Sequence, residues 1–176
     1  AMKLNKDVGV IVVEGARNNV ISEEFSKGIN FYAKKRNIVV IVDEITSGWR
    51  STIGGIYKTT PLIPDIAVYG KALGNGFAIS AILGEKNIMK NSQNSFISST
   101  MWTEKVGFAA GIATVEQFLN KKVNLKIKKN STILKEGLRK IFEKYDLNIS
   151  LSNFTPCLNW QPKYGSKNNT LISLFT

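Results

Sequence analysis

Histidine is absent from the 176 residues, which removes the usual base of serine and cysteine hydrolases and the commonest ligand of zinc. Cysteine occurs once, at Cys157, so no internal disulfide framework can form, and a lone thiol fits a reducing cytoplasm. Acidic residues are scarce. Thirteen Asp and Glu stand against 24 Lys and Arg, for a formal charge of +11 and a pI near 9.8. No apolar run approaches the ~20 residues that a membrane span needs. Val8–Val13 is too short, and too soon followed by Glu14 and Arg17, to read as a secretory leader. With histidine gone and Cys157 alone, lysine becomes the strongest candidate nucleophile.

What is present suits a globular chain with a sizeable core, since 43% of the residues are hydrophobic. Ala1 reads as a leftover ahead of an initiator Met2 and is left out of the fold argument. Much of the positive charge lies between Lys121 and Lys144, where nine Lys or Arg residues face only Glu136 and Glu143. Leu134, Leu138, Ile141 or Phe142, and Tyr145 recur there at helical spacing. The basic side chains then fill the solvent side of an amphipathic helix. A nucleic-acid footprint would need aromatic interleaving or a reader motif, and the run has neither.

Val8–Val13 is a continuous β-branched run without alternation, the pattern of a fully buried strand. Ser22 can cap a following helix, with Glu23 and Glu24 in its first turn and Lys34, Lys35 and Arg36 in its last, as the helix dipole favours. Phe25, Ile29, Tyr32 and Ala33 supply its inward face, and Ile38–Val42 makes a second buried strand. Strand, helix and strand at this spacing predict a βαβ unit with parallel strands. Ile66–Tyr69 is a third strand, Ile79–Leu83 a fourth, and Phe96–Ser98 a further one. A helix rich in small residues begins near Thr103 and Glu104. Beyond Tyr145, Ile149–Leu151 and Leu171–Phe175 are weak strands of an unfinished smaller unit. Residues 2–120 are thus expected as a large α/β domain, 121–146 as a basic connecting helix, and 147–176 as the start of a small α+β domain.

Ligands of parallel sheets collect at the carboxyl ends of the strands. Asp43 closes the second strand, and Lys71 follows the third inside the glycine-rich stretch Gly70-Lys-Ala-Leu-Gly-Asn-Gly76. A lysine that can form a Schiff base and a carboxylate that can keep a ring nitrogen protonated are the groups pyridoxal phosphate chemistry uses most. The same pair also occurs in α/β proteins without that chemistry. Thr100, just ahead of the small-residue helix, can serve a phosphate or be an ordinary turn residue.

Several segments together carry a family resemblance: Val13-Glu14, Val42-Asp-Glu-Ile-Thr-Ser-Gly-Trp-Arg50, Pro64-Asp65, Gly70–Gly76, Ile88-Met89 and Phe96-Ile-Ser-Ser-Thr-Met-Trp-Thr-Glu104. In this order they resemble the class III aminotransferases, in particular proteins like glutamate-1-semialdehyde aminotransferase. The resemblance implies part of a fold type I large domain, a mainly parallel sheet with flanking helices. It implies pyridoxal 5'-phosphate as cofactor, Lys71 as the Schiff-base lysine, and Asp43 as partner of the pyridinium nitrogen. Ile45 falls against a face of the ring. Thr100 matches a threonine that reaches the cofactor phosphate of the neighbouring subunit, which makes a homodimer the expected unit. Glu14 falls on the substrate side, the substrate being an amino acid or amino-ketone. Lys71, acting as a base, is expected to need burial and nearby positive charge.

The departures are specific. Gly15 stands where family members have proline after the glutamate, and the family's phosphate loop and ring-stacking aromatic have no counterpart here. A form truncated at both ends is therefore expected. It would be complemented by a separate N-terminal half, or else be a catalytically inactive fragment.

Overall fold

The computed structural model describes residues 7–163. Ser22 sets the first helix in place: its side chain accepts the Phe25 N–H at 3.1 Å, and α1 (Glu23–Arg36) runs until Asn37 takes a left-handed conformation. On either side lie β1 (Val10–Glu14) and β2 (Val39–Asp43), paired in parallel with Glu14 beside Asp43. β3 (Ile66–Tyr69) continues the parallel order, with Asp43 beside Val68. β4 (Ala81–Gly84) closes the order β1-β2-β3-β4 antiparallel to β3. The sheet is therefore mainly parallel. The Asp65 carboxylate reaches across the strand entrances and accepts the Val40 N–H at 2.7 Å.

One face of this sheet is the core. Ile11, Val13, Val40, Val42, Ala67 and Tyr69 pack with Ile29 and Ala33 of α1. Two sequence expectations are corrected here. β1 is not buried on both faces, because it is an edge strand with its outer side uncovered: Val10 is 50% and Val12 63% exposed. On α1 the buried position is Ser26 rather than Phe25, since the stripe from Ile29 and Ala33 passes through residue 26 and leaves Phe25 outside.

After β4 the short α2 (Lys86–Met89) leads to α3 (Lys105–Lys121) and α4 (Val123–Lys144). Phe96–Ser98 is not a strand; it pairs with no neighbour among the described residues, and Phe96 is 97% exposed. The small residues of α3 have a steric reason. Gly107 lies so close to the Ala78 carbonyl that a Cβ would overlap it. α4 buries none of its residues fully; Leu138 and Phe142 are half-covered, whereas Leu134, Ile141 and Tyr145 face outward. A hairpin of β5 (Ile149–Leu151) and β6 (Trp160–Pro162) follows. Leu171–Phe175 lies outside the described residues.

Between the hairpin strands, Phe154 joins Ala16 and Ile56 in a second small core, with Cys157 against it. The Asn153 and Phe154 N–H groups both bond the Asn18 carbonyl, at 2.9 and 3.0 Å. The C-terminal segment thus rests on the loops at the carboxyl ends of β1 and β2. No described helix is long and apolar enough to cross a membrane.

Candidate active site

The register brings three strand ends into line. Glu14 ends β1, Asp43 ends β2 beside it, and Val68 in β3 lies beside Asp43, three residues before Lys71. Paired residues share a sheet face, so Glu14 and Asp43 stand on the side opposite α1. Glu14 is exposed and lies 3.6 Å from Arg17. Asp43 is half-buried, and its Oδ1 accepts the Ile45 N–H at 2.8 Å. That bond orients the carboxylate and leaves Oδ2 without a hydrogen bond among the described residues. Ile45 packs its Cγ2 and Cγ1 over Gly70, directly before the lysine.

Lys71 begins a helical turn with φ +42, a left-handed conformation sparsely used by non-glycine residues and enriched at functional positions. Its carbonyl accepts the N–H groups of Gly74 and Asn75 at 3.1 and 3.0 Å, which holds the turn. Its amine donates to Thr46 Oγ1 at 2.9 Å, and it makes no ion pair among the described residues. The expected burial of Lys71 is not met: the side chain is exposed.

Thr100 is not brought to this group. It lines a separate cavity of about 510 Å³ with Ser80, Trp102 and Phe108, near the start of α3. A second cavity, of about 460 Å³, lies beside the turn after Lys71, between Trp49, Arg50, Asn75 and Phe118.

Sequence reasoning missed the centre of the loop after Asp43. Glu44 is fully buried. Its carboxylate accepts the Ser47 hydroxyl at 2.5 Å and the Tyr57 N–H at 2.8 Å. Burial pushes its pKa up, opposed by the hydrogen bonds from Ser47, Tyr57 and Ile56, while the nearby Asp43 charge pushes the same way as burial. The carboxylate also explains Gly15. A Cβ there would overlap both Glu44 Oε1 and the Ile56 side chain. Thr46, next in the chain, binds Lys71 through its side chain, and its carbonyl accepts Arg50 Nε at 2.6 Å and Cys157 Sγ at 3.8 Å. The available signal was polar residues directly after an apolar run ending in Asp43. Composition cannot say which of them points inward.

The sequence model of the family "Aminotransferase class-III" matches residues 3–150. The chain belongs to the class-III aminotransferases. It is 32% identical over 123 residues to 3-aminobutyryl-CoA aminotransferase of Cloacimonas acidaminovorans, which covers 65% of this chain and 30% of that protein. It is 29% identical over 161 residues to glutamate-1-semialdehyde 2,1-aminomutase of Methanocaldococcus jannaschii, covering 87% of this chain and 38% of the relative. Among solved structures it resembles the pyridoxal phosphate internal aldimine form of FumI from Sphingopyxis sp. MTA144. There the TM-score is 0.79 at 19% identity, over 86% of this chain and 38% of that one. This class-III chain thus spans roughly a third of the length of the relatives it matches.

Proposed function

We propose that this chain carries the lysine-bearing part of a pyridoxal phosphate-dependent enzyme of amino-group transfer, whether between two molecules or within one as in an aminomutase. The observation that carries the reading is Lys71 following β3 while Asp43 closes the adjacent parallel strand with one carboxylate oxygen that takes no hydrogen bond among the described residues. The residues fit the group. Lys71 would condense with its aldehyde, Asp43 Oδ2 would accept the ring N–H, and Ile45 would supply an apolar wall. When bound, pyridoxal phosphate supplies an electron sink that stabilises negative charge on the substrate α-carbon. Asp43 must remain ionised to keep the ring nitrogen protonated. Lys71 must be neutral to accept and return the α-proton. Glu14, one strand over, would face the substrate, an amino acid or amino-ketone.

Thr100, which lines a cavity that Lys71 does not line, would contact the cofactor phosphate of a neighbouring subunit in a cytoplasmic homodimer. We divide the chain into a partial cofactor domain (2–120), a basic connecting helix (121–146) and the beginning of a small domain (147–176). A second reading, favoured by the exposure of Lys71, is a catalytically inactive relative of the aminotransferases.

The test is absorbance. Protein mixed with pyridoxal phosphate should develop a band of a lysine imine, and Lys71→Ala should lose it. A band of equal height in Lys71→Ala would overturn the assignment of the lysine. Turnover appearing on addition of the N-terminal half of a related enzyme would overturn the second reading.

A further inference from the structure

Lys71 is held by a hydroxyl rather than by a carboxylate. A carboxylate partner would only accept from the lysine and would fix its proton in place. A hydroxyl can accept a hydrogen bond from the ammonium and can donate one to the neutral amine. It can therefore hold the nitrogen through both protonation states that a lysine acting as nucleophile and then as base passes through.

Thr46 is itself held from several directions. Its carbonyl takes Arg50 Nε and Cys157 Sγ. The residue before it is tied to Asp43 through the Ile45 N–H, and the residue after it to buried Glu44 through the Ser47 hydroxyl. The Gly48 N–H closes the turn on the Glu44 carbonyl at 2.7 Å. Threonine is also stiff at χ1. From the other side, Lys71 leaves β3 in a left-handed conformation that its carbonyl bonds to Gly74 and Asn75 maintain. Two separately anchored loops, 25 residues apart in sequence, thus meet at one hydrogen bond.

We propose that Thr46 is a positioning residue for Lys71, its hydroxyl presenting the amine to an incoming aldehyde at the carboxyl edge of β2 and β3. The proposal rests on the reading of Lys71 as the Schiff-base lysine. Glu44 and Ser47 act one step further back, by fixing the height of the turn that carries Thr46.

The test uses pyridoxal without its phosphate, so that phosphate recognition does not enter. The neutral amine condenses with the aldehyde and releases one water; borohydride then delivers hydride to the C=N carbon and makes the adduct permanent. Peptide mapping gives labelling at Lys71 relative to Lys58 and Lys86 in the same molecule. In the wild-type chain Lys71 should be favoured. Thr46→Val keeps the backbone bonds but loses the hydroxyl. It should lower that preference about three- to tenfold, the range a net hydrogen bond of ordinary strength allows. Thr46→Ser should restore most of it. Unchanged preference in Thr46→Val, or a Thr46→Ser variant as poor as Thr46→Val, would overturn the proposal and leave the lysine assignment standing. No preference for Lys71 in the wild-type chain would overturn both. Circular dichroism of each variant, compared with wild type, checks that the fold is kept.

Discussion

The two faces of the sheet are treated oppositely. On one, Val40, Val42, Ala67 and Tyr69 are sealed beneath Ile29 and Ala33 of α1. On the other, Val10 and Val12 are exposed, and the strand ends carry Glu14 and Asp43. The sealed face is built from neighbours in sequence and supplies the apolar burial that stabilises the βαβ unit. The open face carries the candidate chemistry. A lysine base needs water excluded around it, and the described elements do not provide that on their own. The contrast teaches that the folding core and the candidate site residues sit on opposite sides of the same strands.

The comparison breaks most easily on the sealed face. Ile29→Ala should cost about 3 kcal/mol, as buried Leu or Ile truncations usually do, and would show as a lower denaturant midpoint with an unchanged slope. The boundary between the faces is Glu44. Glu44→Ala leaves the Ser47 hydroxyl and Tyr57 N–H unpaired, at about 2 kcal/mol. The pH dependence sharpens this prediction. Burial raises the Glu44 pKa above its ordinary value near 4.5, so the folded state holds that proton more tightly than the unfolded chain. The group's favourable contribution is complete below about 4.5 and is lost as pH rises through the raised folded value. Glu44→Gln should remove that part of the slope in chemical denaturation followed across pH 4 to 7; an unaltered slope would mean Glu44 is not the group responsible. The smallest effect belongs to the open face. Val12→Lys should change stability by no more than about 0.5 kcal/mol while reducing self-association in light scattering, since a charge on an apolar edge strand opposes pairing between chains.

Much of this was legible before any coordinates. The Ser22 cap, the acidic first turn and basic last turn of α1, and the glycine-rich stretch that follows β3 are local features, written in residues that are neighbours in sequence. Phe96–Ser98 shows where such reading stops. Its residues have strand propensity, but a strand also needs a partner, and none of the described residues offers one. β1 shows the same limit from another side. A run of valines and isoleucine signals a strand, yet whether both faces are covered depends on what packs there. Phe25 and Ser26 exchanged places for a related reason, because a helix stripe is set by the neighbour it meets.

Residue order alone determined the class of fold, the family, and the positions of Asp43, Ile45 and Lys71 at the ends of their strands. The fold class follows from hydrophobic period and capping chemistry, both short-range properties of a chain, and the family and Ile45 from the resemblance of motifs in their order. Only the tertiary structure decided that the Lys71 amine meets Thr46, that Glu44 rather than Asp43 is the buried acid, and that Gly15 is where it is because that acid lies against it. Each of those depends on the angle at which two loops, distant in sequence, are brought together by strand register and packing. No local preference encodes that angle.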